Sequence, residues 1–364
     1  MSRLFDPFQI GELRLANRII IAPMCQYSAD EGSATDWHFI HLGHLALSGA
    51  AMLIVEATAV SPEARITPTD LGLYSDANEA ALARVLNAVR AHSPIQLAMQ
   101  LAHAGRKASS RAPWEGGKQI ALGEPGSWRA VAPSAVPHIA GEDPPAALDA
   151  AGLQKIRDDF ASAAKRAERL GLDALEIHAA HGYLLHQFLS PIANQREDEY
   201  GGSLENRMRF PLEVFDIVRA AFPAGKPVWA RISATDWVPG GWDIEGTLAL
   251  SQALKARGCA AIHVSSGGVS PQQKIPVGPG YQVPFAQRVK AEVGLRRVGD
   301  QAEAIVANGE ADAVSLARAM LYDPRWPWHA AAKLGARVEA PHQYWRSQPR
   351  EFKDLFENAQ FGAR

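Results

Sequence analysis

Short, unbroken apolar runs recur along this chain, and most are followed by a stretch of helical periodicity. That alternation constrains the fold more than any other feature. The runs are Arg18–Met24, Ala51–Ala57, Ile95–Leu101, Ala174–His178, Val228–Ile232, Ala260–Ser265 and Ala313–Leu316. Continuous apolarity, rather than strict alternation, marks parallel strands covered on both faces. Helical patterns fall between them at Trp37–Leu47, Glu79–His92, Asp149–Leu170, Arg207–Phe222, Ile244–Arg257, Pro284–Val293 and Gln301–Asn308. Gly171, Gly258 and Gly309 stand where helix C-termini call for a stop. An eighth strand is expected near Leu295–Gly299. Eight βα units in 364 residues predict an α/β fold of the (β/α)8 TIM-barrel type. Periodicity leaves a doubly wound open sheet as the competitor, but its phosphate signatures are missing. The first strand turns through Pro23-Met24-Cys25-Gln26, with no G-x-G-x-x-G after it, and the chain has no P-loop.

Leu4–Leu15 reads as a hairpin, turning at Gly11-Glu12, that can plug the bottom of the barrel. After the third strand, Ala104–Ala147 is long and rich in Pro, Gly and Trp, as expected of an excursion on the catalytic face. No internal repeat or interdomain linker is visible, so residues 1–364 read as one domain. At 47% hydrophobic residues the chain can fill a sizeable core. A net charge of -2 gives no general attraction to nucleic acid or anionic lipid. Cys25 and Cys259 make no disulfide framework and suit a reducing compartment. No secretory signal and no run of about 18 apolar residues is evident. The expectation is a cytoplasmic protein with no nucleic-acid or membrane partner.

Barrel active sites lie at the carboxyl ends of the strands. Those ends carry Pro23, Met24, Cys25 and Tyr27, then Ala57 and Thr58, then Gln100 and His103. His178, His181 and Tyr183 follow, then Arg231, Ser265 to Gly268, and Arg318. No lysine stands at these positions for Schiff-base chemistry. Glu56 and Glu176 precede their strand ends and make no catalytic carboxylate pair. The set suits holding a polar heterocycle and polarising an oxygen. His178 and His181 have three readings: metal ligands, structural histidines, or paired donors to a substrate oxygen. A metal would want a third ligand, and only His186 follows closely. Tyr183 is then a candidate general acid. Arg231, ending a buried strand, needs either an internal carboxylate or an anionic cofactor. Arg318 is suited to a phosphate at the last strand. The helix histidines His38, His41 and His44 are expected to pack or face solvent.

These residues carry a family resemblance. The sequence resembles the Old Yellow Enzymes, FMN-dependent ene-reductases, and is most similar to their bacterial branch of YqjM-like and xenobiotic reductase A-like members. The likeness runs through Ala22-Pro23-Met24-Cys25-Gln26-Tyr27, Glu56-Ala57-Thr58-Ala59-Val60 and Gln100-Leu101-Ala102-His103-Ala104-Gly105-Arg106-Lys107. It is most specific at His178-Ala179-Ala180-His181-Gly182-Tyr183-Leu184 and Tyr200-Gly201-Gly202-Ser203-Leu204-Glu205-Asn206-Arg207. The resemblance implies that Ala22, Pro23, Met24 and Cys25 line the FMN isoalloxazine, with Ala57 and Gln100 at its polar edge. It implies Arg231 beside the N1/C2 region, and Ala317 and Arg318 at the phosphate. Cys25 becomes a modulator of the flavin rather than a nucleophile. His178 and His181 bind the activating oxygen of the substrate, Tyr183 donates the proton, and Tyr27 is the second active-site phenol. No metal is implied.

The implied reaction is ping-pong. NADPH reduces FMN, and an enone, enal, maleimide or nitroalkene is then reduced at its activated C=C bond. Gln343-Tyr344-Trp345-Arg346 resembles a segment that this branch sends into a neighbouring subunit. The tail, residues 335–364, is therefore expected at an interface of a homodimer or homotetramer, with Arg346 reaching a neighbour's substrate.

One region departs from the family pattern. Between the last two helical stretches stand only Gly294-Leu295-Arg296-Arg297-Val298-Gly299-Asp300, so the seventh strand reads as shortened and carries two arginines. Gly299 is the candidate for the phosphate-binding glycine, and Arg296 or Arg297 could reach a phosphate. Three rivals follow: a related FMN oxidoreductase with another substrate, an FMN-binding barrel with little turnover, and a metal-dependent hydrolase resting on the two histidines.

Overall fold

In the computed structural model, residues 2–294, 296–299 and 302–360 are described. The chain opens with an antiparallel hairpin of β1 (Phe8–Ile10) and β2 (Leu13–Leu15). Eight parallel strands follow: β3 (Ile19–Ile21), β4 (Met52–Ala59), β5 (Gln96–Ala102), β8 (Ala174–Ala179), β9 (Val228–Ser233), β10 (Ala261–Ser265), β11 (Arg296–Gly299) and β12 (Ala313–Leu316). They pair in that order and close when β12 meets β3, with Val314 beside Ile19 and Leu316 beside Ile21. Within the excursion, β6 (Val131–Ala132) and β7 (Ala146–Ala147) form a small parallel pair.

The helices are α1 (Asp36–Ala46), α2 (Asp76–His92), α3 (Ala150–Arg169), α4 (Leu184–Leu189), α5 (Leu204–Ala221), α6 (Ile244–Ala256), α7 (Val283–Val293), α8 (Ala302–Ala307), α9 (Arg318–Tyr322) and α10 (Trp326–Leu334). All eight residues of β4 are buried, as a strand sandwiched between barrel interior and helices must be. Two helices begin three residues earlier than their periodicity suggests because of their caps. Ser75 accepts from the Asn78 N–H and Ser203 from the Asn206 N–H, so α2 and α5 start on polar residues.

The hairpin sits at the amino-terminal end of the barrel. Gly11 at its turn is left-handed (φ 57°), and a Cβ there would stand 3.4 Å from Pro227, just before β9. Leu4 and Leu15 are fully buried, and the Glu303 carboxylate on α8 takes the backbone N–H groups of Arg3 and Leu4. The segment therefore plugs the bottom, as expected.

The seventh barrel strand, β11, has only four residues, yet it pairs with both neighbours. Ala261, Ile262 and His263 of β10 stand beside Arg296, Arg297 and Val298, while Val298 and Gly299 pair with Ala313 and Val314. A short strand suffices to close the barrel because β12 is equally short. Whether Arg296 or Arg297 reaches a phosphate concerns side chains outside the described residues, as do Leu295, Asp300 and Gln301.

Candidate active site

The barrel brings the predicted residues to one end through register. Gln100, Glu176 and Trp229 stand side by side on β5, β8 and β9; two residues on, His178, Arg231 and His263 do the same on β8, β9 and β10. Residues two apart on a strand share a face, so these rows stack along the barrel interior. Glu176 is fully buried and organises the lower row. Its carboxylate accepts from Gln100 Nε2 (2.6 Å) and Trp229 Nε1 (2.7 Å) and meets His263 Nδ1 at 2.7 Å. Burial alone would raise its pKa, but His263, Arg231 and Trp229 bring it down to about 2. Glu176 is therefore the internal counter-charge near Arg231, a role not assigned to it from its place before the strand end. Its spacing of two from His178 was the available signal.

The upper row leads into the turn after β8. The ring of His178 packs edge-on against His181 (5.1 Å) and Tyr183 (4.9 Å). His178 Nδ1 accepts the Ala180 N–H at 3.4 Å, which leaves Nε2 to carry the proton. Burial, then the nearby Arg231 charge, pushes both imidazoles well below their ordinary pKa, so they are neutral N–H donors. Burial also raises the Tyr183 phenol well above its usual value and keeps it protonated.

His181 adopts the left-handed region (φ 58°), and its neighbours hold it there. Ser233 Oγ accepts its N–H at 2.9 Å and donates to the Gly267 carbonyl at 2.8 Å. Lys107 Nζ donates to its carbonyl at 3.0 Å, and its ring Nε2 lies 2.6 Å from Ser265 Oγ. Two glycines make this approach possible. A Cβ on Gly182 would stand 2.1 Å from the Gly268 carbonyl oxygen, and one on Gly268 would stand 2.4 Å from the His181 carbonyl carbon.

The turn is braced from behind by His186 on α4. The His186 Nδ1 accepts the Gly182 N–H at 2.8 Å, while its Nε2 meets Asp236 at 2.8 Å. Asp236 is also held by Ser190 Oγ and the Trp242 N–H. This buried chain makes His186 a positioning group. Neither Asp236 nor Ser233 was singled out from sequence, because both lie just past an apolar run with no motif to mark them.

After β3, Ala22 is buried and its N–H donates to Leu316, while Pro23, Met24, Cys25 and Tyr27 are partly buried. A bulge in β4 at Glu56 lets Val55 pair with Met99 and Ala57 with Gln100. The extra residue turns the Glu56 carboxylate to the Gln26 N–H (2.7 Å) and to His38 Nε2 (3.3 Å). His38 thus has a partner beyond packing. Burial, with Asp70 and Glu56 nearby, raises the Cys25 thiol well above its usual pKa. Cys25 therefore stays a thiol. Tyr27 is left-handed (φ 50°) and packs edge-on against Trp114 of the excursion at 5.6 Å.

Ala317 precedes α9 and Arg318 opens it at the carboxyl end of β12, where Arg318 is exposed. Arg346 lies in a 3-10 turn, His342–Ser347, packed at the opposite end of its own barrel. A cavity of about 840 Å³ at that end is lined by Asn17, Gly49, Gln96 and Tyr344, away from the catalytic-type side chains. No helix among the described residues is long and apolar enough to cross a membrane.

The chain is similar to known proteins over most of its length. Residues 3–336 match the NADH:flavin oxidoreductase / NADH oxidase family. An NADH:flavin oxidoreductase of Gibberella zeae is 42% identical, covering 94% of this chain and 88% of its own. An NADPH dehydrogenase of Geobacillus thermodenitrificans is also 42% identical, covering 94% of this chain and 98% of its own. Among solved structures, a morphinone reductase superposes with a TM-score of 0.76 at 30% identity, over 99% of this chain and 94% of that one.

Proposed function

The chain belongs to the NADH:flavin oxidoreductase / NADH oxidase family, the Old Yellow Enzymes, and is an FMN-dependent oxidoreductase with a nicotinamide reductant; on that premise we propose that it reduces the activated C=C bond of enones, enals, maleimides and nitroalkenes. The observation that carries this reading is the packing of His178, His181 and Tyr183 into one cluster beside Arg231.

The residues fit a flavin mononucleotide. Gln100 and the Arg231 cation offer polar contacts for a heterocycle, and Ala22 to Cys25 offer a partly exposed wall. At the phosphate end, the Arg318 side chain has no hydrogen bond or ion pair among the described residues, so its fork is free for an anion. Ala317 stands beside it. Bound FMN supplies hydride transfer from nicotinamide to an electron-poor alkene carbon.

The protein's own groups supply the rest. Neutral His178 and His181 donate N–H bonds to the carbonyl or nitro oxygen and stabilise the negative charge that develops there. Donors held in place by Ser233, Lys107 and Ser265 need little reorganisation as that charge grows. Tyr183 holds a proton at neutral pH and delivers it to the α-carbon. Tyr27 and the Cys25 thiol border the substrate, with Cys25 acting as a modulator. Arg346 contributes only through a neighbouring copy, as part of a homodimer or homotetramer whose 335–364 tail lies at the interface. We favour NADPH as reductant, a single domain over 1–364 and a cytoplasmic setting.

Product analysis tests the reading. Holoenzyme with NADPH and 2-cyclohexenone is expected to give cyclohexanone. Formation of the allylic alcohol, or no product, overturns it.

A further inference from the structure

Arg106 and Lys107 follow the third barrel strand on the turn Gly105–Lys107. Arg106 is only 4% exposed. Its guanidinium donates to the carbonyls of Val269 (2.5 Å), Val136 and Pro137 (both 3.4 Å). Its Nε has no hydrogen-bond partner among the described atoms. Among the described residues, Lys107 likewise donates only to the carbonyls of His181 and Gly268. Among the described residues, no carboxylate lies within 4 Å of either cation.

Carbonyl oxygens satisfy donors but do not cancel charge; Asp236 and Glu142 act on Arg106 only from beyond ion-pair distance, and an incompletely compensated buried charge is costly. The cost shows in both groups. Burial lowers Arg106 to about 10 and Lys107 to about 8, and His138 falls to about 3 through burial and the same two cations. These three residues line one cavity of about 190 Å³ with Tyr27, Arg111 and Glu142. Arg111 pairs outward with Glu124. Glu142, the acid on the wall, accepts the Ile139 N–H and lies beyond ion-pair distance of Arg106 and Lys107. Tyr27 and Lys107 also connect the cavity to the substrate site, since Lys107 Nζ lies 4.9 Å from the Tyr183 ring. At this size the cavity takes a substituent rather than a whole nucleotide.

We infer that this cavity is an oxyanion subsite, taking a carboxylate or phosphate carried by a molecule whose reactive end lies at His178 and His181. The inference rests on the functional reading above and adds to it a preference for an anionic group on one of the two reactants. The anion can belong to the electron acceptor or to the nicotinamide dinucleotide.

The test uses holoenzyme and two matched acceptors, 4-oxocyclohex-2-ene-1-carboxylate and its carboxamide, with binding read from the flavin absorbance shift without reductant. The carboxylate is expected to bind about tenfold more tightly. Inorganic phosphate is expected to weaken only the carboxylate, and Lys107→Met to bring the two acceptors together. A second arm compares NADPH with NADH in the reductive half-reaction. Loss of an NADPH advantage in Lys107→Met, with the acceptors equal in wild type, assigns the anion to the coenzyme. If Lys107→Met does not fold, Arg111→Ala at the cavity rim and phosphate competition in wild type decide. Equal acceptor binding, together with an unchanged NADPH/NADH ratio in the variants, overturns the inference. Failure to reduce 2-cyclohexenone at all instead overturns the functional reading.

Discussion

His186 and Asp236 meet at 2.8 Å with neither side chain exposed, and through His186 Nδ1 this pair holds the backbone N–H of Gly182. The turn carrying His181 and Tyr183 is therefore fixed from behind by a buried chain. Burial alone would raise the Asp236 pKa, yet His186 and Ser190 hold it below the ordinary range. Asp236→Asn keeps the shape but removes the charge that orients the imidazole. It is expected to lower kcat about 10- to 100-fold with FMN still bound, because small misplacements of reacting groups are costly. Steady-state kinetics on flavin-replete protein check this. Wild-type turnover in the variant counts against the bracing role.

Gly268→Ala puts a Cβ 2.4 Å from the His181 carbonyl carbon at a residue with φ 99°. Backbone must move, so the variant is expected to lose roughly 1–3 kcal/mol of stability and most of its activity. Denaturant unfolding with parallel assays measures both. Gly202 is also left-handed (φ 74°), but a Cβ there meets nothing within 4 Å, so Gly202→Ala is the control for backbone strain alone.

Tyr183→Phe removes the protonated phenol without changing the ring contact to His178. The oxidative half-reaction with an enone is expected to slow about 100-fold or more, while reduction by NADPH continues. Stopped-flow measurement of the two half-reactions separates them. Equal slowing of both points to a structural effect instead.

Asp70 is 3% exposed, and burial raises its carboxyl to about 7 despite hydrogen bonds from Thr67 and Ile66. The Glu56 charge adds to the rise, and the Cys25, Tyr27 and Tyr183 side chains each feel the Asp70 charge. A folded pKa above the unfolded value gives stability that is fully present below about pH 4 and is lost as pH rises toward 7. Neutral buried histidines such as His103, held near 4, act in the opposite sense as pH falls from 6.5. Asp70→Asn isolates the first effect. Between pH 5 and 8 its Tm is expected to rise relative to wild type, and a pH-independent difference contradicts the assignment.

Much of this architecture was legible from burial logic. Continuous apolar runs gave seven of the eight barrel strands within a few residues, since strands covered on both faces cannot tolerate polar alternation, and the remaining one was placed by its position between the last two helical stretches. The strand ends located His178, Arg231 and Arg318 because a barrel exposes those ends to its loops. What escaped was set by tertiary register. Glu176 was set aside for preceding its strand end, although its face is shared with His178. Asp236 and Ser233 act through partners 50 or so residues away, and no local pattern announces such pairings. The short helices α4 and α9 were also missed, because five or six residues give too little periodicity to read.

The central claim, two half-reactions at one flavin site, is tested most directly by an anaerobic visible spectrum of purified holoenzyme. NADPH is added first and 2-cyclohexenone second. The account predicts a flavin band that bleaches with NADPH and returns with the enone. A protein that cannot bind FMN, or a bleached band that the enone leaves unchanged, contradicts it.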